Sequence, residues 1–287
     1  LLGGAGNDII TATGTNLVSS FLNGNAGIDT FNLVDASEST VFGGQGNDTI
    51  TFTSPIYNTR VNGNVGIDTI TTAGAFSSSV FGGQGADAIT LAGQTSSSVV
   101  QGDNGNDSIT VNGAITSSTI NGNDGQDVIT IGATAFSNST VYGGAGDDTI
   151  TAAAAGVAVV LSGDDDTDIL TGSAFADTIF GGDGDDTITG GALADTMTGG
   201  AGVNTFRYAA ATDTGAVATG VVDVITDFKN TGVATTTDFI GGTFGTTLRF
   251  GAAAGYADYA TALTQVATIT GAGAASVLAA VGSGTSW

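Results

Sequence analysis

Several residue types are missing from this chain of 287 residues or are scarce in it. It has no cysteine, so neither disulfide bonds nor thiolate metal sites can stabilise the fold, and cysteine pairing gives no information on the redox compartment. It also has no histidine and one lysine, and it contains no H-E-x-x-H, G-x-S-x-G or paired-glutamate motif. The sequence therefore predicts a protein that is not an enzyme.

Positive charge is almost absent. Four cations face 27 acidic residues, which gives a formal net charge of -23. Every acid except Glu38 is an aspartate, the acid typical of turns and of sites for hard cations. Because such a charge repels duplex nucleic acid and anionic membrane surfaces, nucleic acid is excluded as a partner.

Long apolar runs are also missing. The best candidate, residues 152–161, is shorter than the roughly 18 residues that a transmembrane helix requires, so no transmembrane segment is expected. The sequence begins inside a repeat, without Met or a basic leader, and we therefore expect it to be a fragment of a longer protein. Its apolar content of 41% nevertheless allows a sizeable core.

The chain is rich in one glycine- and aspartate-containing repeat, of which GGQGNDTIT at 43–51 is a copy. Aligned on the residue before the first turn glycine, the copies begin at 1, 22, 41, 61, 80, 100, 120, 141 and 161, and then at 170, 179, 188 and 197. The interval of about 20 residues thus falls to nine after position 161. This regularity predicts a solenoid of coils of about 20 residues, followed by half-coils.

An apolar residue follows each terminal aspartate and alternates with threonines, as in Thr49-Ile50-Thr51. This period of two predicts strands whose apolar residues form a core ladder with one rung per coil. The expected rungs are Ile10, Phe31, Ile50, Ile70, Ile89, Ile109, Ile129, Ile150, Ile169, Ile179, Ile188, Met197 and Phe206. A Ser/Thr-rich segment before each turn predicts a returning strand, giving two parallel stacks. The outward threonines are expected to form a solvated face, and an ice-binding array is the alternative.

The turns combine glycines, which permit positive φ, with a carboxylate, and such turns can form an oxygen cage for a hard cation. Stacking places successive aspartates about 5 Å apart, where they repel by about 1 kcal/mol even in water. No lysine or arginine lies in these turns, so calcium is the predicted neutralising ion. Ordinary turns in a metal-free solenoid are the alternative. An EF-hand beginning at 164–168 is disfavoured because no glutamate could supply its twelfth-position ligand.

The pattern G-G-x-G-x-D-x-U-x, in which U is a bulky aliphatic residue, resembles the nonapeptide repeat of RTX proteins. The resemblance covers about residues 1–240 and is closest at 170–206. It implies calcium ions between adjacent coils, bound by turn carbonyls and by the sixth-position aspartate. The implied aspartates are Asp8, Asp29, Asp48, Asp68, Asp87, Asp107, Asp127, Asp148, Asp168, Asp177, Asp186 and Asp195. The implied glycines are Gly44, Gly46, Gly83, Gly85, Gly144, Gly146, Gly182 and Gly184. The turns beginning at Gly163, Gly172 and Gly190, and the turn ending at Asn204, depart from the pattern.

We therefore expect an all-β, right-handed parallel β-helix or β-roll solenoid. Coils of about 20 residues would occupy 1–169, tandem nonapeptide repeats 170–206, and a small mixed C-terminal cap 207–287. The resemblance implies a secreted, extracellular protein exported by a type I system. The Ser/Thr/Ala/Gly-rich, lysine-poor composition favours a structural role in a bacterial surface layer, with self-association and contact with cell-surface polysaccharide. The alternatives are a segment of an adhesin, and the secretion or folding module of a hydrolase or polysaccharide-modifying enzyme.

Overall fold

Short parallel strands dominate the described part of the chain. The computed structural model describes residues 1–14, 16–208, 215–216, 221–228, 239–242 and 249–250. The predicted all-β parallel solenoid with coils of about 20 residues is confirmed. Those ranges hold no helix that could span a membrane. The chain divides into two units, Leu1–Ile150 and Thr151–Trp287, which are described in turn.

In the first unit each of the first seven coils contributes a strand to each of three sheets, and the eighth contributes to sheets 1 and 2. Sheet 1 contains β1 (Leu2–Ala5), β4 (Phe21–Ala26), β7 (Thr40–Gln45), β10 (Arg60–Val65), β13 (Ser79–Gln84), β16 (Val99–Asn104), β19 (Thr119–Asp124) and β22 (Thr140–Ala145). Sheet 2 contains β2 (Ile9–Ala12), β5 (Thr30–Leu33), β8 (Thr49–Phe52), β11 (Thr69–Thr72), β14 (Ala88–Leu91), β17 (Ser108–Val111), β20 (Val128–Ile131) and β23 (Thr149–Thr151). Sheet 3 contains β3 (Leu17–Val18), β6 (Ala36–Ser37), β9 (Ile56–Tyr57), β12 (Ala75–Phe76), β15 (Thr95–Ser96), β18 (Ile115–Thr116) and β21 (Phe136–Ser137).

The core consists of columns of like residues that run from coil to coil. In sheet 2, Ile70 pairs with Ile50 on one side and with Ile89 on the other, and all three side chains are fully buried. In sheet 1, Val61 pairs with Val41 and Val80 in the same way. β-Branched residues fit these columns because they pack well on a pleated surface.

Sheet 3 was not predicted, since the sequence indicated two stacks of strands rather than three. Its strands are only two residues long, too short for alternation to be recognised in the sequence. They still add buried residues to the core, including Ala36, Ile56, Ala75 and Ile115. The coils of the first unit therefore enclose their core with three ladders.

The second unit has two main ladders. One contains β24 (Val160–Asp165), β26 (Thr178–Asp183), β28 (Thr196–Ala201), β32 (Val224–Ile225) and β34 (Arg249–Phe250). The other contains β25 (Ile169–Thr171), β27 (Thr187–Thr189), β29 (Thr205–Tyr208) and β33 (Phe239–Gly242). Leu161, Ile179 and Met197 are in register, so two nine-residue repeats complete one coil. A short antiparallel pair, β30 (Gly215–Ala216) and β31 (Val221–Val222), follows; most of the expected cap at 207–287 lies outside the described residues.

One predicted rung of the core ladder was wrong. Ile169 is 50% exposed, whereas Leu170, the next residue, is fully buried and pairs with Ile188. The rung lies two residues after the terminal aspartate, and that position after Asp168 belongs to Leu170. Side chains on a strand alternate between faces, so an error of one residue moves the side chain from core to solvent.

Adjacent substitutions test this register. Leu170→Ala should lower the free energy of unfolding in calcium by about 2 to 5 kcal/mol, because it leaves a cavity in the core. Ile169→Ala should change it by less than about 1 kcal/mol, because the side chain is half exposed. Denaturant unfolding followed by circular dichroism measures both variants. Equal losses would contradict the assigned register.

Candidate metal centre

The predicted aspartates of the first unit form one column along the turn that joins sheet 1 to sheet 2. Each carboxylate accepts a hydrogen bond through Oδ1 from the backbone N–H of the aspartate one coil earlier. Asp48 Oδ1 accepts from Asp29 at 2.7 Å, and Asp87 Oδ1 accepts from Asp68 at 2.7 Å. The column runs in this way from Asp8 to Asp148. These side chains therefore link each coil to the next through a hydrogen bond to the backbone.

The second carboxylate oxygen, Oδ2, is used differently. It is buried and has no hydrogen-bond partner among the described residues in Asp8, Asp29, Asp48, Asp68, Asp87, Asp107 and Asp127. Burying an oxygen that carries negative charge without a donor is costly. The first unit thus contains a row of seven buried, negatively charged oxygens that require a positive partner.

The glycines at the second and fourth turn positions adopt backbone conformations that favour glycine. Gly44 and Gly46 have φ values of 123° and 121°. Their counterparts among the predicted glycines, Gly83, Gly85, Gly144, Gly146, Gly182 and Gly184, have φ between 119° and 142°. A Cβ at Gly46 would also collide with the carbonyl oxygen of Gly27, because these carbonyls point along the coil axis toward the next coil.

The first glycine of the turn has a different purpose from the one predicted. Gly43 is not among the residues with positive φ. A Cβ at Gly43 would instead lie 2.5 Å from Asp48 Oδ2 and 2.6 Å from the carbonyl oxygen of Gly63. Glycine is needed here for space, since it lets a carboxylate oxygen and a carbonyl oxygen from adjacent coils approach the same point.

This donor set suits calcium, which binds six to eight oxygen ligands in flexible geometry, including carboxylates and backbone carbonyls. Within the described residues, no group of three or more His, Cys, Asp or Glu side chains converges on a metal-sized space. An ion in these turns would therefore need backbone carbonyls in addition to the column carboxylates. The unpartnered carboxylate oxygens and the turn carbonyls are oxygen donors of the required kind.

Burial raises the pKa of five of the column aspartates. It raises the pKa of Asp48, Asp68, Asp107 and Asp127 from 3.8 to about 6, although the backbone N–H that each one accepts acts in the opposite direction. Burial raises the pKa of Asp87 to about 7, with further contributions from the charges of Asp68, Asp107 and Asp103. Ionising any of these five carboxylates at neutral pH without a cation therefore costs on the order of 3 kcal/mol.

The opposite edge of the first unit carries a column of hydroxyl groups that the sequence analysis missed. Thr59 Oγ1 accepts from the N–H of Ser39 at 3.3 Å and donates to the carbonyl of Tyr57 at 2.8 Å. The same arrangement recurs at Ser78, Ser98, Ser118 and Ser139. The signal was a Ser or Thr two residues before each core Val or Ile. On this edge an uncharged hydroxyl, instead of a carboxylate, accepts the backbone N–H of the preceding coil.

The second unit has aspartates on both edges. Asp168 donates its N–H to Asp186, which donates to Asn204 on the same edge. On the other edge Val159 donates to Asp177, and Asp177 donates to Asp195. Asp177 differs from the column of the first unit because the hydroxyl and N–H of Ser173 occupy its oxygens.

Comparison with known proteins supports a calcium-binding solenoid. The family model of the RTX calcium-binding nonapeptide repeat (4 copies) matches residues 1–16, 36–52, 136–154, 162–197 and 187–214. The search of curated proteins finds no match. Among solved structures, the chain is similar to a hyperactive, Ca2+-dependent, β-helical antifreeze protein from an Antarctic bacterium. The TM-score is 0.55 at 18% identity, and the match covers 98% of this chain and 96% of the other.

The pKa values predict how the calcium-free protein responds to pH. The folded chain binds more protons than the unfolded chain between the unfolded value of 3.8 and the folded values of about 6 to 7. Its stability should therefore be highest below about pH 4 and should fall as the pH rises through 6 to 7. Circular dichroism of dialysed, metal-free protein from pH 4 to 8 measures the effect. Full β content at pH 8 would contradict it.

The repeat matches, the fold of the Ca2+-dependent neighbour and the column of oxygens agree with one another. The chain therefore carries RTX calcium-binding nonapeptide repeats on a parallel β-solenoid, and it binds multiple calcium ions.

Proposed function

We propose that this protein is a secreted structural component of a bacterial surface layer, folded and assembled by calcium outside the cell. The observation that carries the proposal is the row of buried Oδ2 atoms without hydrogen-bond partners. A chain with this row is disfavoured where calcium is scarce and stabilised where it reaches about 0.1 to 1 mM, the range of extracellular calcium modules. A chain that is stable only at extracellular calcium concentrations can leave the cell unfolded through a type I system and fold outside.

The ligand assignment is part of the proposal. The sixth-position aspartates, Asp8 to Asp195, and carbonyls of the turn glycines would hold the ions between coils. The support is strongest in the first unit, where the unpartnered oxygens lie, and weakest at Asp177, where Ser173 takes up the carboxylate. Within the aspartate column, a calcium ion supplies the positive charge that the buried carboxylates require and links successive coils.

A structural role rather than catalysis is supported by the inventory of side chains. No histidine or cysteine is present to act as a base or nucleophile, and the described turns repeat one arrangement instead of building a distinct cleft with several chemical groups. Self-association in a lattice and contact with cell-surface polysaccharide belong to the same proposal. An adhesin segment, or the module of a secreted hydrolase, would share the calcium column but would not form arrays.

Asp87→Asn separates the two roles of a column aspartate, which are to accept a backbone hydrogen bond and to offer a charged oxygen to calcium. The amide oxygen can still accept the N–H of Asp68, as Asn204 accepts that of Asp186 at 2.9 Å. The variant should lose calcium affinity by about ten-fold or more, since it lacks the charged oxygen. Without calcium at pH 8 it should be more stable than the parent by about 2 to 4 kcal/mol, because the buried charge is gone.

The control is Glu38→Gln, which removes one exposed charge on the hydroxyl edge and should change neither quantity. Calorimetric calcium titration and denaturant unfolding give the two readouts. If Asp87→Asn weakened the calcium-free fold, the assignment of the column as a charge-repelling metal site would be wrong.

The surface-layer role is tested on intact cells that produce the protein. Electron microscopy should show an ordered two-dimensional array that disappears when calcium is chelated and returns when it is restored. Protein located at the surface without an array would favour an adhesin. Release into the medium in covalent linkage to a catalytic domain would favour an enzyme module.

Ice binding is a second candidate because of one regular feature on the outer face of sheet 2. Thr51, Thr71, Thr90, Thr110 and Thr130 lie in one register, separated by the strand spacing of about 4.8 Å. The solved neighbour is named an antifreeze protein. Thermal hysteresis of the calcium-loaded chain, abolished by Thr90→Tyr but not by Thr119→Tyr on sheet 1, would support this function. No hysteresis in the parent would reject it.

A further inference from the structure

The outer face of sheet 1 carries a column of aromatic side chains separated by amide side chains. Between β4 and β22 the residues in register are Asn23, Phe42, Asn62, Phe81, Gln101, Asn121 and Tyr142. Phe42 and Phe81 are two coils apart, a separation of about 9.5 Å by the strand spacing. All of these side chains are partly exposed.

Each aromatic residue is followed two positions later by glycine, and each amide residue is followed two positions later by Asn or Asp in the same strand. Phe42 precedes Gly44 and Phe81 precedes Gly83, whereas Asn62 precedes Asn64. A Cβ at Gly83 would collide with the backbone carbonyl of Asn64, so only glycine fits there, and this position without a side chain is called the Gly83 notch. The notch at Gly83 lies between Asn64 and Asp103, which pair with it in the neighbouring strands.

Gly83 also lines an open groove of about 550 Å³. Its walls include Asn62, Asn64, Asp103 and Asn123, so it is lined by amides and carboxylates. The amide of Asn123 donates to Asp103 at 3.2 Å, which fixes one wall. The side-chain N–H groups of Asn64 make no hydrogen bond to the part of the chain that the structure describes, and they line the groove.

Arg60 belongs to the same outer face of sheet 1. Its guanidinium lies 4.9 Å from the ring centre of Phe81 and 5.9 Å from that of Phe42, so it bridges the two rings. It is the only cation within residues 1–150 of the sequence. A guanidinium held over aromatic rings keeps several N–H donors available at its edge.

We propose that this face, defined by Phe42, Arg60, Asn62, Phe81 and the Gly83 notch, binds an extended neutral hexose polysaccharide whose chain follows the solenoid axis. The apolar C–H face of a hexose stacks on an aromatic ring, and amides recognise adjacent sugar hydroxyls as donor and acceptor together. The spacing of one coil is close to the rise of one hexose in an extended chain. The two rings would thus contact alternate sugars, and the amides the sugars between them.

The net negative charge of the protein favours a neutral polysaccharide over an anionic one. At a net charge of -23, polyanions such as nucleic acid or polyuronates are repelled over the whole surface. The groove itself contains Asp103 and Asp124, which adds to that repulsion. An apolar protein partner fits poorly, because a polar side chain separates successive rings. The inference deepens the proposed surface-layer role by assigning the class of polysaccharide and the face that contacts it.

The test uses the full calcium-loaded chain and isothermal titration calorimetry with cellohexaose, mannohexaose and chitohexaose. At least one of these neutral hexasaccharides should bind, while hexagalacturonate should not. Phe81→Gln should weaken binding by about ten-fold, through loss of one stacking contact. Gln101 occupies the same register one coil later, so glutamine is compatible with the fold at this position.

The matched control is Phe76→Ser on sheet 3, where an aromatic ring stacks on Tyr57 and where Ser96 occupies the same register. It removes an equal ring from another face and should leave binding unchanged. Failure of all three neutral hexasaccharides to bind, or equal losses in both variants, would overturn the proposal. If Phe81→Gln instead reduced self-association measured by light scattering, the face would be a protein contact and the proposal would be wrong.

This outcome is separable from that of the proposed function. Calcium-dependent arrays on cells combined with absence of glycan binding would remove only the present inference. Glycan binding without arrays would retain the binding face and reject the lattice role.

Discussion

The stacking of buried aspartates is the constraint on which the rest of the structure depends. Each carboxylate accepts a backbone N–H of the preceding coil through Oδ1, and this hydrogen bond helps to hold the coils in register. The same burial leaves Oδ2 charged and without a donor, as in Asp48 and Asp68. One residue type therefore both builds the solenoid and opposes it. The opposition disappears when a cation or a proton reaches the oxygen, which couples folding to calcium and to pH.

The two edges of the first unit solve the same backbone problem in different ways. On one edge an aspartate accepts the N–H of the preceding coil, and on the other a hydroxyl group such as that of Ser98 does so. The hydroxyl also donates to a carbonyl of its own coil, so it leaves no charge to neutralise. An edge of this kind stacks without metal. Confining the aspartates to one edge halves the number of buried charges that each coil must accommodate.

Sequence periodicity predicted the features that repeat with a fixed residue type. The apolar column of Ile50, Ile70 and Ile89 and the aspartates that precede it were predicted, because one residue class recurs at one interval. The two-residue strands of sheet 3 were not, since Ala36, Ile56 and Thr95 share a column but not a chemical class. The space requirement of Gly43 was also missed, because a glycine needed for close approach and a glycine needed for positive φ are identical in sequence.

The second turn position shows that the backbone conformation is kept while the side chain varies. Gly44 has φ of 123°, whereas Asn25 and Asn64 in the adjacent coils adopt the left-handed region at 75° and 77°. Asn tolerates this region, and here the side chains of Asn23 and Asn62 accept the N–H groups of Asn25 and Asn64. The turn can therefore hold its oxygens in place with either residue. Since the side chains at this position point outward, the coil can change its surface chemistry without disturbing the metal column, and a binding face can arise independently of the calcium sites.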